Sequence, residues 1–181
     1  MGAPLRWVEL SPLLRGVFSW RWLARNLRLS RTRQLARVAL PLLMRAPWLL
    51  GIYLHPELAD LDDAEELIKV VEDPNPMLNE EIAGWIARRE LIIDGVDIAG
   101  RLRALDVPTL VLTGNADGIV PVATARFVFD WISAARKELI VVGDARHRYA
   151  HADLYVSRQA QELVFAPIAA WLAGCAAGKE A

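Results

Sequence analysis

VPTLVLTGNADGIVP (Val107–Pro121) begins as a continuous apolar run, from Thr109 to Gly114, and opens through a glycine into a polar loop. A run with no polar alternation suits a strand buried on both faces of a parallel sheet. A second such run, ELIVVGD (Glu138–Asp144), follows within thirty residues. Between them Phe127 and Trp131 stand at i, i+4, which predicts a helix over Val122–Arg136. After the second run Ala160, Val164, Ile168 and Trp171 share one stripe, which predicts another over Ser157–Ala173. Strand, helix, strand, helix is the alternation that builds a parallel sheet with crossover helices, so the fold class is α/β.

Towards the N-terminus the texture changes. LRWVEL (Leu5–Leu10) alternates enough for a short strand, ended by Ser11-Pro12 because proline cannot donate to a ladder. From there to about Leu91 no strand is evident. Helical stretches broken by prolines are expected at Leu13–Leu29, Thr32–Tyr53, Asp62–Glu72 and Asn79–Glu90, with DGVDIAGRLRALDVP as a tether to the second half. The expected organisation is a first sheet strand over 1–11, a helical cap or lid over 12–95, an α/β core over 96–174 and a frayed tail over 175–181.

The bulk properties narrow the function classes. The 181 residues are 54% hydrophobic, enough for one domain with a real core. A net charge of -1 argues against general nucleic-acid binding, which needs a surplus of Lys and Arg. The charge is unevenly spread: residues 1–50 hold nine Arg against one Glu, and residues 51–100 hold thirteen Asp or Glu against three Lys or Arg. The single cysteine, Cys175, cannot form an intrachain disulfide, and with no signal peptide evident the default location is the cytoplasm. The greasiest stretch, Val38–Leu54, is 17 residues long and broken by Pro41, Arg45 and Pro47. It falls short of the roughly 20 apolar residues of a membrane span, so no transmembrane segment is expected.

Functional groups of a parallel α/β sheet collect at the carboxyl ends of its strands. Asp117 follows the first run and His151 follows the second, so their loops should lie side by side. A carboxylate on one loop and an imidazole on the next can fix the tautomer of a base and stabilise the imidazolium that forms. Asp-Gly is also a common turn dipeptide, so Asp117 can be read as a turn residue. His147, in RHRYAH, is the alternative base. Asp153, two residues after His151, favours His151. His55, before Pro56, reads as a cap or turn residue. No metal site and no cofactor are implied, since the histidines lack further ligands at usual spacings.

Val107–Leu172 resembles the C-terminal end of an α/β-hydrolase. YAHADLYVSRQAQELVFAPIAAWL is similar to the acid lipases and related bacterial esterases, with Tyr149, His151, Asp153, Leu154, Ala160, Val164 and Phe165 at the family's offsets. The resemblance implies about three parallel strands of a hydrolase sheet with a helical cap insertion. It further implies Asp117 as triad acid, His151 as triad base, and a small-molecule ester or lipid as substrate.

The family's nucleophile, a serine in a G-x-S-x-G elbow between strand and helix, is absent. Ser11, Ser19, Ser30, Ser133 and Ser157 all lack glycine at either second neighbour, and Cys175 lies beyond the histidine. The chain therefore resembles the second half of an esterase or lipase; a split gene with the nucleophile half on a separate chain, an internal start or incomplete gene model, and true loss of that half would each produce this pattern. A non-catalytic hydrolase-like scaffold or binding partner is the alternative. In the cap, Phe18, Trp22 and Leu29 can share one face and Arg21, Arg25 and Arg28 another. Phe18 and Trp22 are candidate substrate contacts. The same pattern fits a face that packs the cap on the sheet, or a membrane-surface helix.

Overall fold

The computed structural model describes residues 34, 38, 51–60, 73, 75–88 and 90–177. The expected strand Leu5–Leu10, the helix Asp62–Glu72 and most of the cap, including Phe18 and Trp22, lie outside them. Gln34 and Val38 are helical, and Gly51–Tyr53 form a turn.

The first helix described along its whole length is α1 (Pro76–Arg88). A two-stranded antiparallel hairpin follows, β1 (Ile92–Ile93) with β2 (Val96–Asp97), paired Ile92↔Asp97 and Ile93↔Val96. Its two-residue turn is Asp94 (φ 49°) and Gly95 (φ 77°), and positive φ at both is what the right-handed twist of a tight hairpin requires. The hairpin stands where a tether was expected and runs across the 95/96 boundary between cap and core. Trp85 fastens it to α1 by donating from its indole N–H to the Ile92 carbonyl at 2.9 Å. Asp97 then caps helix α2 (Ile98–Leu102), accepting from the Gly100 N–H at 3.0 Å.

Strand β3 (Thr109–Gly114), helix α3 (Val122–Trp131) and strand β4 (Lys137–Val142) make the parallel unit. β3 and β4 pair in register from Thr109↔Lys137 to Gly114↔Val142. Among the described residues this parallel sheet has two strands. Helix α3 ends five residues earlier than its apolar spacing predicts. The Lys137 ammonium donates to the carbonyls of Phe129 and Ile132 at the end of α3, which closes the helix against the start of β4. Trp131 stacks on Phe127, lies under the Arg103 guanidinium and donates its indole N–H to the Ala99 carbonyl, so α2 is tied to α3.

The C-terminal helix departs from a simple amphipathic reading. Ser157 does not start it, because Ser157 forms an isolated antiparallel bridge with Ala59, flanked by Asp60 N–H to Val156 O and Arg158 N–H to Leu58 O. A short helix α4 (Asp153–Val156) precedes the bridge. A π-helical turn (Gln161–Phe165) follows it and leads into α5 (Ala166–Ala177). The helix thus runs through Cys175 to Ala177, where a frayed tail was expected. Of the expected stripe, Ala160 and Val164 are buried and Ile168 packs against the core, while Trp171 sits half-buried near the Arg136 guanidinium. The core itself is Val142, Tyr149, Leu154 and Val164, with Leu58, Leu112, Ile140 and Ile168 against it. It lies under the loop that carries His151, and that is how burial energy holds the loop in place.

Candidate functional site

β3 and β4 are parallel and paired at their ends, so the two loops that leave them emerge at one edge. Asn115 N–H donates to the Val142 carbonyl and Ala116 N–H to the Tyr149 carbonyl, both at 2.9 Å, which stitches the loops together. Gly114 allows that approach: a Cβ there would fall on the Tyr149 carbonyl oxygen, and a backbone atom cannot swing away.

Asp117 does two things with its two oxygens. Oδ1 accepts from Ile119 N–H at 2.8 Å and Val120 N–H at 2.7 Å, so the turn reading of Asp-Gly holds for this loop. Oδ2 lies 2.8 Å from His151 Nδ1. The Asp117 side chain is 2% exposed and that of His151 34%, so the carboxylate is inside and the imidazole reaches outward. A carboxylate only accepts, so Nδ1 carries the proton and Nε2, across the ring, keeps the lone pair of a base. No known family, curated protein or solved structure matches the chain.

The other sequence candidates fall elsewhere. His147 is not paired with Asp117. It faces Asp144 of its own loop at 3.3 Å, with both side chains more than half exposed. Asp144 is held below the usual carboxylate range by N–H bonds from His147 and Arg146, as expected of a carboxylate that closes a loop. Asp153 does not serve His151 either. It is fully buried and accepts from Ala150 N–H at 2.8 Å, from His55 N–H at 3.0 Å and from His55 Nδ1 at 2.8 Å. His55 does open a turn, since its carbonyl accepts from Leu58 and Ala59, but its ring forms a second imidazole–carboxylate pair beside the first.

Two residues were not singled out in the sequence. Asn115 spans the gap between the loops: its Nδ2 donates to the carbonyls of Asp144 (2.8 Å) and His147 (3.2 Å), and its Oδ1 accepts from Tyr149 N–H (2.8 Å). Its place directly after a parallel strand was the available signal, but an asparagine in a loop has many roles. Asn115→Ala removes all three bonds and is expected to cost about 2–3 kcal/mol, at roughly 1 kcal/mol per bond. Hydrogen exchange at Tyr149 N–H should accelerate in step. Unchanged protection there would show that the loop is held by something else.

Tyr53 is the second, with its ring centroid 6.1 Å from that of His151.

Tyr149, two residues before His151, is buried, its hydroxyl donating to Gln159 Oε1. Burial, and then the Asp153 carboxylate, push its phenol above the ordinary value of 10.0. The folded state thus favours the neutral phenol. Its contribution is complete below pH 10 and is lost as pH rises from there towards the folded value, because the unfolded chain releases the proton first. Between pH 9 and 11 the wild-type melting temperature should fall more steeply than that of Tyr149→Phe. Parallel curves would refute the linkage.

Of the five serines, Ser133 and Ser157 lie in the described residues. The Ser157 hydroxyl is buried without a hydrogen-bond partner there, pinned by the bridge to Ala59. Among the described residues no group of three His, Cys, Asp or Glu is placed to hold a metal ion, and no helix is long and apolar enough to cross a membrane. A polar cavity of about 320 Å³ lies between α1 and the hairpin, lined by Glu80, Glu81, Trp85, Arg88 and Asp94, and contains neither member of the Asp117–His151 pair.

Proposed function

We propose that this chain supplies the acid and the histidine of a serine α/β-hydrolase acting on carboxylic esters, for a serine that is not in this sequence. The Asp117–His151 pair at the ends of adjacent parallel strands carries the reading. The resemblance of Tyr149–Leu172 to acid lipases and bacterial esterases adds the substrate class. Asp117 holds His151 with Nδ1 protonated and balances the imidazolium as it forms. His151 Nε2 takes the proton of the attacking serine hydroxyl, then returns it to the leaving alkoxide, and the same two transfers repeat with water to release the acid. His147 remains the alternative base, with Asp144 as its partner. The cap face bearing Phe18 and Trp22 would meet the apolar part of the substrate.

The absence of G-x-S-x-G favours one further reading, a hydrolase-like scaffold that binds without turning over. Fluorophosphonate labelling, which reports activated serine, separates the two. The purified chain is expected to take no label on any of its five serines. The native protein or assembly that contains these residues is expected to show one labelled serine outside this sequence, with labelling abolished by His151→Ala. Stoichiometric labelling of this chain alone would overturn the placement of the nucleophile. An assembly whose labelling ignores His151→Ala would favour the scaffold.

A further inference from the structure

The segment Gly51–Asp60 crosses both loops of the site and is fastened at each. Its Ile52 carbonyl accepts from Gly118 N–H, next to Asp117, at 2.9 Å, and its Tyr53 carbonyl accepts from Ala152 N–H, next to His151, at 2.7 Å. Gly118 is what lets the segment sit so close, since a Cβ there would lie 2.5 Å from Ile52 Cβ. Two residues on, His55 is bound to the fully buried Asp153 by both its backbone N–H and its ring. The Ala59–Ser157 bridge secures the far end. Between these fastenings one large apolar side chain is left facing water: Tyr53, 51% exposed, its ring tilted 34° to the His151 ring beside it. The backbone on both sides of this aromatic is fixed, yet its own apolar surface is unburied next to the outward-facing imidazole. A ligand seated on His151 would recover that surface.

We propose that Tyr53 is a specificity-determining residue of the Asp117–His151 site. Its ring is the wall against which the apolar group of an ester substrate lies, and His55, through Asp153, is the positioning residue that places it there. The assignment rests on the ester-hydrolase reading and adds to it which residue of this chain touches the substrate.

The test is an NMR titration of the isotope-labelled full chain with methyl butyrate and, separately, methyl acetate. Butyrate is expected to shift the Tyr53 and His151 ring signals saturably, and to bind about tenfold more tightly than acetate for its two extra methylenes. Tyr53→Ala should weaken butyrate at least fivefold, and Tyr53→Phe should bind as wild type. His55→Ala should weaken it too, though less than Tyr53→Ala because the backbone N–H of residue 55 stays on Asp153, while the Asp117-bonded Nδ1 proton of His151 stays visible. His55→Asn should restore binding, because its amide N–H can replace Nδ1 on Asp153. Butyrate shifts at His151 that saturate at the wild-type concentration in Tyr53→Ala would overturn the wall and leave the ester reading standing. No shift at either ring would overturn both, and wild-type binding by His55→Ala would overturn the positioning role.

Discussion

Asp153→Ala is expected to lower the stability of this chain by about 3–5 kcal/mol, because it leaves the buried Ala150 N–H and the part-buried His55 N–H without an acceptor at about 1–3 kcal/mol each and empties a packed site. A domain of this size is held by roughly 5–15 kcal/mol in all, so the loss is a large share of the total. His55→Ala should cost only about 1–2 kcal/mol, since the carboxylate keeps both backbone donors and water can reach the space left by a ring that is 27% exposed. Urea unfolding measures both, with the midpoint falling and the slope unchanged. An Asp153→Ala midpoint equal to that of His55→Ala would mean that the backbone donors find other partners and that Asp153 matters only for the ring.

The second large effect is on turnover. On the proposed ester-hydrolase role, Asp117→Asn, assayed with the nucleophile present, should reduce kcat by on the order of 10⁴, the cost of holding the base in the wrong tautomer. The amide can keep its oxygen on Ile119 and Val120 N–H and then presents an N–H to His151 Nδ1. That bond forces the proton to Nε2, where the lone pair is needed. The loop should survive, so the melting temperature should move little while activity collapses. Hydrolysis of p-nitrophenyl butyrate follows the reaction, and a loss smaller than tenfold would remove Asp117 from the role of orienting group.

The parts of this site that the sequence made legible are those set by local pattern. Two apolar runs without alternation placed β3 and β4, and the geometry of parallel strands then brought the residues after them together. The spacing of Asp117 and His151 from those runs is therefore enough to pair them. The hairpin at Ile92–Asp97 was missed although Asp94-Gly95 between apolar residues is its signal, because its strands are two residues long and show no alternation. The start of the last helix was misplaced because its boundary is decided by Ala59, a residue far along the chain that claims Ser157 for a bridge. The partner of Asp153 is decided at long range too: the buried carboxylate meets His55, whose backbone N–H and ring both reach it. Nothing in the spacing of single residues reports such a pairing.

The two imidazole–carboxylate contacts differ in how far apart their members lie along the chain, 34 residues for His151 with Asp117 and 98 for His55 with Asp153. Closing the longer loop costs about 0.9 kcal/mol more in chain entropy, by the logarithmic dependence on loop length. Assembly of the site has an order in consequence. The dyad can form as soon as the second parallel strand docks, within a unit that contains its own helix and core, whereas the Tyr53 segment must wait for the chain to return from much further away. The same asymmetry predicts that the segment lifts before the strands part, which native-state hydrogen exchange would show as faster exchange at Ala152 N–H, bonded to the Tyr53 carbonyl, than along the β3–β4 ladder.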